Sequence, residues 1–329
     1  MKFYIAFVSS LLLSISAACG DIVWPTESKD FAQGKSQLEF LQPTVSGAPM
    51  SGAFGDVRSN GARFHEGIDI KPVRRDRKGE PLDDIFCAMD GKVTCINKIG
   101  GNSGYGRYVV VTHDNLDVEV YTLYAHLSEI DPQIKIGARV LAGARIGKMG
   151  RSASYSIARP QAHLHFEIGL RLSDSFNKWY SAQRYKEKNF FGNDNGMNLT
   201  GFDPLAFYYA TKNGKINNGF AGYVSSLPTA FVARIYTRKT PDFVKIYPAL
   251  SNTNGNDCGW DIYFTWYGLP QRFERIKDPR VGAKEGEVEI VKYNPSQLNH
   301  KCRRMVTIDS KGRPKIGEPL KDTLKKIFP

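Results

Sequence analysis

The feature that most constrains the fold is a series of short apolar runs between Cys87 and Ile168, each rich in β-branched and aromatic residues and each bounded by Gly or Asn/Asp clusters. Runs of this length and composition are typical of strands joined by tight turns. The runs are Lys92–Ile96, Tyr108–Thr112, Val118–Tyr124, Arg139–Leu141 and His163–Ile168. They predict a mainly β fold with an antiparallel sheet.

The domain organisation follows from shifts in composition along the 329 residues. A turn-rich stretch without periodicity predicts an irregular lead-in over 19–50. Strand patterns continue through 51–210, which we expect to form one domain. An Asn-, Gly- and Lys-rich segment at 212–219 then marks a boundary, and a smaller β-rich domain is expected over 216–329. Its strand candidates are Val232–Tyr236, Trp260–Tyr267 and Glu287–Val291, and helices are predicted within Asp174–Phe191 and over Pro319–Phe328.

Residues 1–18 have the pattern of an export signal. Lys2 precedes a mostly apolar run that ends in Ser16-Ala17-Ala18, and no later run approaches the ~20 apolar residues that a membrane span needs. The chain is therefore expected in the periplasm or cell envelope. Ser16-Ala17-Ala18-Cys19 resembles a bacterial lipoprotein cleavage box, although Ser16 stands where Leu is usual, so a lipid anchor at Cys19 and a mature form without lipid both stay open.

The remaining cysteines suit an oxidising compartment, where disulfides persist. Cys87 and Cys95 flank Met89-Asp90-Gly91, a strong hairpin signal, so we predict that they face each other across a strand pair and form a disulfide. A second disulfide between Cys258 and Cys302 is expected to close the C-terminal domain.

The net charge is +12, from 45 Lys and Arg against 33 Asp and Glu. A surplus of this size favours polyanionic partners such as an acidic cell wall, while the alternative is that it only maintains solubility. Zinc-finger and RNA-binding motifs are missing from the sequence, so nucleic acid is not an expected partner.

The histidines are unevenly distributed, with five of the six between positions 65 and 165. His65 and Asp69 are four residues apart, and His163 and His165 would share one face of a strand because strand side chains alternate. Imidazole nitrogens with a carboxylate oxygen suit zinc, and catalytic zinc sites use three protein ligands. A further imidazole beside such a site is a natural general base.

Six segments carry a family resemblance: Ser51–Arg58, Phe64–Ile70, Ala88–Val93, Tyr105–Val109, Tyr124–Leu127 and His163–Glu167. They resemble the S-x-F-G-x-R (with one extra residue), H-x-G-x-D, A-x-D-G-x-V, Y-G-x-x-V, Y-x-H-L and H-L-H-F-E motifs of the lysostaphin-type, or β-lytic, zinc metalloendopeptidases. These enzymes cut the peptide part of bacterial peptidoglycan. The likeness covers roughly 43–205, with Gln161-Ala162 standing where the family usually has Gly-Pro.

The resemblance implies a lysostaphin-like antiparallel β-sheet domain that holds Zn²⁺ and hydrolyses the cross-links or stem peptides of peptidoglycan. Residue by residue, it implies that the zinc ligands are His65, Asp69 and His165. It likewise implies that His126 and His163 are the catalytic histidines. Glu167 is a candidate for orienting a ligand imidazole, whereas His113 is interpreted as structural and His300 as a surface residue.

Two other functions fit the same sequence. The first is a catalytically inactive relative that acts as a scaffold or activator of another cell-wall hydrolase, and metal content would distinguish it. The second makes 216–329 the functional part, as a wall-binding or partner-binding module, and deletion of that module would test it.

Overall fold

The computed structural model describes residues 22–216, 219–255, 257–277 and 279–329. The predicted export signal and Cys19 lie outside these ranges, so both stay predictions. Within the described ranges, none of the helices combines the length and the hydrophobicity that a membrane crossing requires.

The first part of the chain is built mainly from strands, with the short helix α1 (Gln37–Phe40) before them and α2 (Phe176–Ala182) between the last two. The strands are β1 (Gly55–Arg58), β2 (Arg63–His65), β3 (Ile68–Ile70), β4 (Asp84–Phe86), β5 (Gly91–Asn97), β6 (Tyr108–His113), β7 (Val120–Ala125), β8 (Glu129–Ile130), β9 (Arg139–Val140), β10 (Arg145–Lys148), β11 (Leu164–Arg171) and β12 (Leu199–Phe202). Seven of them form one sheet in the order β12-β11-β7-β6-β5-β9, with β3 paired to β11 beside β12. All of these pairings are antiparallel, which confirms the predicted mainly β, antiparallel fold.

The two faces of β11 have different roles. Leu164, Phe166 and Ile168 are fully buried in the main hydrophobic core. Strand side chains alternate between faces, so His165 and Glu167 point to the opposite side of the sheet. The alternation in the sequence therefore separates the residues that hold the core together from those available for chemistry.

The second part of the chain mixes helices and strands. Its elements are α3 (Pro204–Lys212), α4 (Gly219–Ser226), β13 (Phe231–Ile235), α5 (Asp242–Ile246), β14 (Ser251–Asn252), β15 (Trp260–Phe264), β16 (Pro270–Arg275), β17 (Val288–Tyr293), β18 (Val306–Ile308), β19 (Pro314–Ile316) and α6 (Glu318–Ile327). A five-stranded sheet in the order β14-β16-β15-β13-β17 is separate from the seven-stranded sheet. One hydrophobic core nevertheless spans both parts, with the ring of Phe202 on β12 packed against that of Tyr223 on α4 at 5.4 Å between centroids. The boundary between 51–210 and 216–329 stays a prediction.

The predicted Cys87–Cys95 disulfide is wrong. β4 and β5 do not form a hairpin, because β4 pairs with β10 whereas β5 pairs with β6 and β9. Cys87 lies in the main core and donates its thiol to the Met89 carbonyl at 3.0 Å. Cys95 belongs to a second apolar cluster on the other face of the sheet, and both thiols are free. Cys302 is also free, so the predicted Cys258–Cys302 disulfide is not formed.

Candidate active site

Three strands bring the predicted metal ligands together. β2 ends at His65, β3 carries Asp69, and β11 carries His165 directly opposite Asp69 in the antiparallel register. The turn between β2 and β3 packs tightly on β11, since a Cβ at Gly67 would lie 2.2 Å from the Phe166 carbonyl oxygen. One ligand atom from each of the three residues lies within 4.8 Å of the others, and all three residues are buried.

The outward hydrogen bonds of the two imidazoles fix which nitrogen faces the centre of the site. His65 Nδ1 donates to the Ala53 carbonyl oxygen at 2.7 Å, so His65 turns its Nε2 toward the centre of the site. His165 Nε2 donates to Glu167 Oε1 at 2.9 Å, so His165 turns its Nδ1 inward. These two nitrogens lie 3.0 Å apart, and Asp69 Oδ1 lies 3.0 Å from the first and 3.1 Å from the second. Burial opposes a charge on His165, but its hydrogen bonds to Asp69 and Glu167 raise its pKa to about 9, so a metal ion that binds His165 Nδ1 must displace a proton.

Two imidazole nitrogens and one carboxylate oxygen therefore converge on one point. A proton on His165 Nδ1 can bridge it to Asp69, and when a cation replaces that proton, two neutral imidazoles with one carboxylate are a ligand set that zinc accepts. The residues present fit a zinc ion.

Glu167 anchors the outer side of His165. Its Oε1 also accepts a hydrogen bond from the Tyr105 hydroxyl at 2.7 Å, and its Oε2 accepts one from the Tyr121 hydroxyl at 2.8 Å. Burial, reinforced by the Glu167 charge, raises the pKa of both tyrosines well above the usual range, so they stay protonated as donors. Partners of this kind orient a ligand imidazole and strengthen its metal binding.

Arg58 supports the carboxylate ligand. Its guanidinium contacts Asp69 Oδ2, and its Nε donates to the Ser51 carbonyl at 3.2 Å. Burial opposes ionisation of Asp69, but the adjacent His163 and His65 together hold the pKa of its carboxyl well below the usual range. The sequence pattern included Arg58 without assigning it a role, and its contact with Asp69 depends on the pairing of β1 with β2.

The two predicted catalytic histidines lie beside the ligands at the ends of strands. His163 directly precedes β11, and its Nε2 lies 3.4 Å from Asp69 Oδ1. His126 directly follows β7 in a left-handed backbone conformation, φ 61°, which is uncommon outside glycine. The two ring centroids are 4.8 Å apart.

Backbone carbonyls orient both of these rings. His126 Nδ1 donates to the Ser152 carbonyl at 2.9 Å, and His163 Nδ1 donates to the Gln161 carbonyl at 2.6 Å. Each ring therefore presents an unprotonated Nε2 for chemistry. Burial lowers the pKa of His163, and burial together with the neighbouring His163 lowers that of His126 well below the usual range, so both are neutral bases at neutral pH. Ser152 is a contributor that sequence reasoning missed, since it acts through its backbone.

His65, His126 and His165 line a cleft of about 900 Å³. One wall comes from the loop before β6 and from the insertion around α2. Another wall comes from the C-terminal region, which the sequence predicted to be a separate domain. The residues of this wall are Tyr267, Gly268, Arg303, Met305, Thr323 and Lys326.

Two contacts attach the C-terminal wall next to the first ligand. Arg303 pairs with Glu66 at 2.8 Å, one residue from His65. His300, expected to be a surface residue, instead stacks on Trp266 at 3.6 Å between centroids, with its Nδ1 2.9 Å from Asp56 Oδ2. The C-terminal region therefore contacts the chain on each side of His65, at Asp56 before it and at Glu66 after it.

A comparison with known families decides which enzymes this site resembles. The segment that carries all five predicted site residues matches a sequence profile described as Peptidase family M23. The match covers residues 63–177, about a third of the chain. The match confirms the resemblance to lysostaphin-type enzymes, and a comparison with curated protein sequences finds no match.

Solved structures similar to the M23 region cover only part of the chain. One is named as the glycyl-glycine endopeptidase LytM of Ruminococcus gnavus, with 29% identity, 35% of this chain and 43% of that chain covered, and a TM-score of 0.28. A zinc-containing peptidase from Vibrio cholerae has 25% identity, 35% and 36% coverage, and a TM-score of 0.25. The catalytic domain of lysostaphin from Staphylococcus simulans has 19% identity, 55% and 98% coverage, and a TM-score of 0.31. The chain spans less than half the length of the first two.

Proposed function

We propose that this chain is a zinc-dependent endopeptidase that hydrolyses the peptide cross-links or stem peptides of bacterial peptidoglycan. The observation that carries this proposal is the convergence of His65 Nε2 and His165 Nδ1 with Asp69 Oδ1 beside two further histidines that are neutral. The match of 63–177 to a peptidase family supports a peptide as the substrate.

The roles of the residues follow from their hydrogen bonds. His65, Asp69 and His165 would hold the ion, and zinc bound there supplies Lewis acidity toward an amide carbonyl and lowers the pKa of water. His126 and His163 each present a proton-free Nε2, so either can accept the proton of the attacking water. The protonated imidazole can then return this proton to the leaving amine nitrogen, as general acid–base catalysis requires.

We also propose that the protein acts in the periplasm or cell envelope, with a lipid anchor at Cys19 as one form. The sequence pattern of residues 1–19 supports export. A net charge of +12 supports adhesion to an anionic wall.

Mass spectrometry of the fragments released from purified peptidoglycan tests the activity and identifies the bond cut. The zinc-loaded wild-type protein should release peptide fragments, protein treated with a chelator should release none, and the His163→Ala variant should release them at least about 100-fold more slowly. A wild-type protein that binds one zinc ion per chain and releases no fragments would instead support the scaffold or activator role.

A further inference from the structure

Lys326 places a positively charged ammonium group in the cleft without a carboxylate partner in the part of the chain that the structure describes. It lies on α6 and lines the cleft, and its Nζ donates to the Met197 carbonyl oxygen at 2.8 Å. Among the described residues, no carboxylate lies within 4.0 Å of this ammonium. The nearest acid along the helix, Asp322, pairs with Lys325 instead, at 3.7 Å. The ammonium also lies 5.7 Å from the centroid of the Trp179 ring, so its partners are a carbonyl and an aromatic face. A part-buried ammonium with such neutral partners gains further stabilisation when an anion binds to it.

The surroundings of Lys326 favour an anion over any other ligand. Arg303, on the same wall, is close enough that its positive charge acts on Lys326. Burial, with a further contribution from Arg303, lowers the pKa of Lys326 to about 8 despite the attraction of Asp322. Five cationic side chains line the cleft against two glutamates, and one of these, Glu66, is already paired with Arg303.

The position of Lys326 in the cleft limits which ligands its ammonium group can bind. Arg303 contacts Glu66, which is adjacent to the ligand His65, so the basic wall begins at the metal site and extends to α6. Lys326 lines the same cleft as His65 and His165, so one peptide can place its acidic group at Lys326 and its scissile bond at the site.

We propose that Lys326, assisted by Arg303, forms a subsite that binds a carboxylate of the substrate, so that the enzyme selects acidic peptides. This inference rests on the proposed function and names the chemical class of its substrate. Peptidoglycan stem peptides suit such a subsite because they carry free α-carboxylates. The Met197 carbonyl oxygen, 2.8 Å from Lys326 Nζ, fixes the position of the ammonium in this subsite.

The test uses the zinc-loaded full chain and two versions of one peptidoglycan peptide dimer, with free α-carboxylates in the first and carboxamides in the second. We expect Lys326→Met to lower kcat/KM for the carboxylate peptide about 10- to 100-fold, mainly through KM, as loss of a charge-assisted hydrogen bond would. Cleavage of the amidated peptide should change less than about threefold. Lys326→Arg should restore part of the loss because it keeps the charge.

Lys325→Met is the matched control. Lys325 is the neighbouring residue on α6, is exposed, and does not line the cleft, so both peptides should be cleaved as by the wild type. Thermal unfolding of each variant verifies that α6 stays in place. An equal loss for both peptides, or an unchanged preference for the carboxylate peptide in Lys326→Met, would overturn the subsite.

A binding measurement separates this inference from the proposed function. Fluorescence anisotropy with the His163→Ala variant reports the affinity for the labelled, uncleaved carboxylate peptide, with and without Lys326→Met. If the wild type cleaves neither peptide, the proposed function fails, and a weaker affinity with Lys326→Met would still support the subsite. Equal affinities would reject it.

Discussion

His65 Nε2 and His165 Nδ1 lie 3.0 Å apart, and each ring donates its other nitrogen to an acceptor outside the site. Both inward nitrogens face the Asp69 carboxylate. Folding places these groups together through strand pairing, and a cation between them would take the place of the proton on His165. We therefore expect metal binding and folding to be coupled in this domain.

The first prediction concerns this coupling. His165→Ala leaves one imidazole and Asp69, so zinc content should fall sharply from about one ion per chain. Added zinc should raise the melting temperature of the wild type and have little effect on the variant. Elemental analysis and thermal unfolding measure the two quantities, and a variant that keeps full zinc content would contradict the ligand assignment.

The second prediction separates the two histidines that are two residues apart. His163→Ala should keep its zinc and lose about 10²–10⁴ in rate, because it removes a proton carrier without removing a ligand. His126→Ala should behave in the same way. Zinc content and peptide cleavage are measured on the same preparation of each variant. Loss of metal from His163→Ala with retention in His165→Ala would reverse the assigned roles, and full activity in all three variants would reject the enzyme.

The third prediction tests Glu167 as the residue that positions His165. Three donors point at its two oxygens, so Glu167→Gln would place an amide NH₂ group against at least one of them. We expect zinc affinity to fall about 10- to 100-fold, as is usual when such partners are lost. Competition with a chelator measures it. Glu129→Gln, which changes an exposed partner of Arg145, is the control and should bind zinc as the wild type does.

The fourth prediction concerns pH. His113 is fully buried, with Nδ1 2.9 Å from the Asp90 carbonyl oxygen and Nε2 2.8 Å from Thr122 Oγ1, and burial lowers its pKa from 6.5 to about 4. Because the unfolded chain binds this proton more readily, the contribution of His113 to stability is present above about pH 6.5 and is lost as pH falls toward 4. The difference corresponds to about 3 kcal/mol.

Urea unfolding of zinc-free wild type and His113→Gln at pH 7 and pH 4 measures this contribution. The free energy of unfolding should fall by less in the variant than in the wild type, since glutamine does not titrate. A variant with the same fall as the wild type would show that other groups account for the acid sensitivity.

The sequence was informative about the site wherever a local pattern determines it. His163, His165 and Glu167 share one face because they alternate along β11, and alternation is visible in any sequence. Arg58 and Ser152 were missed as contributors for different reasons. Arg58 reaches Asp69 through strand pairing, and Ser152 orients His126 with a backbone carbonyl that every residue type possesses.

The helices show the same difference between local sequence signals and contacts that depend on the tertiary fold. α3 begins at Asp203-Pro204, where the Asp203 carboxylate accepts from the amide of Leu205 at 2.9 Å, a local signal that the sequence analysis did not use. α4 receives its capping carboxylate from Asp117, which is 103 residues distant from Phe220. Similarly, the chain bends at Met89-Asp90, where the sequence has its hairpin signal. The strands on either side, β4 and β5, nevertheless pair with other strands. Local chemistry cannot reveal partners that only the tertiary fold supplies.

The contact between Glu66 and Arg303 joins residues 237 positions apart, and this separation imposes an order of assembly. A chain that emerges from its amino end presents every predicted zinc ligand before the segment that forms the basic wall. The ligands and the wall proposed to select substrates therefore come from segments that emerge at different times, and the cleft has all of its sides only when α6 has packed against the rest of the chain.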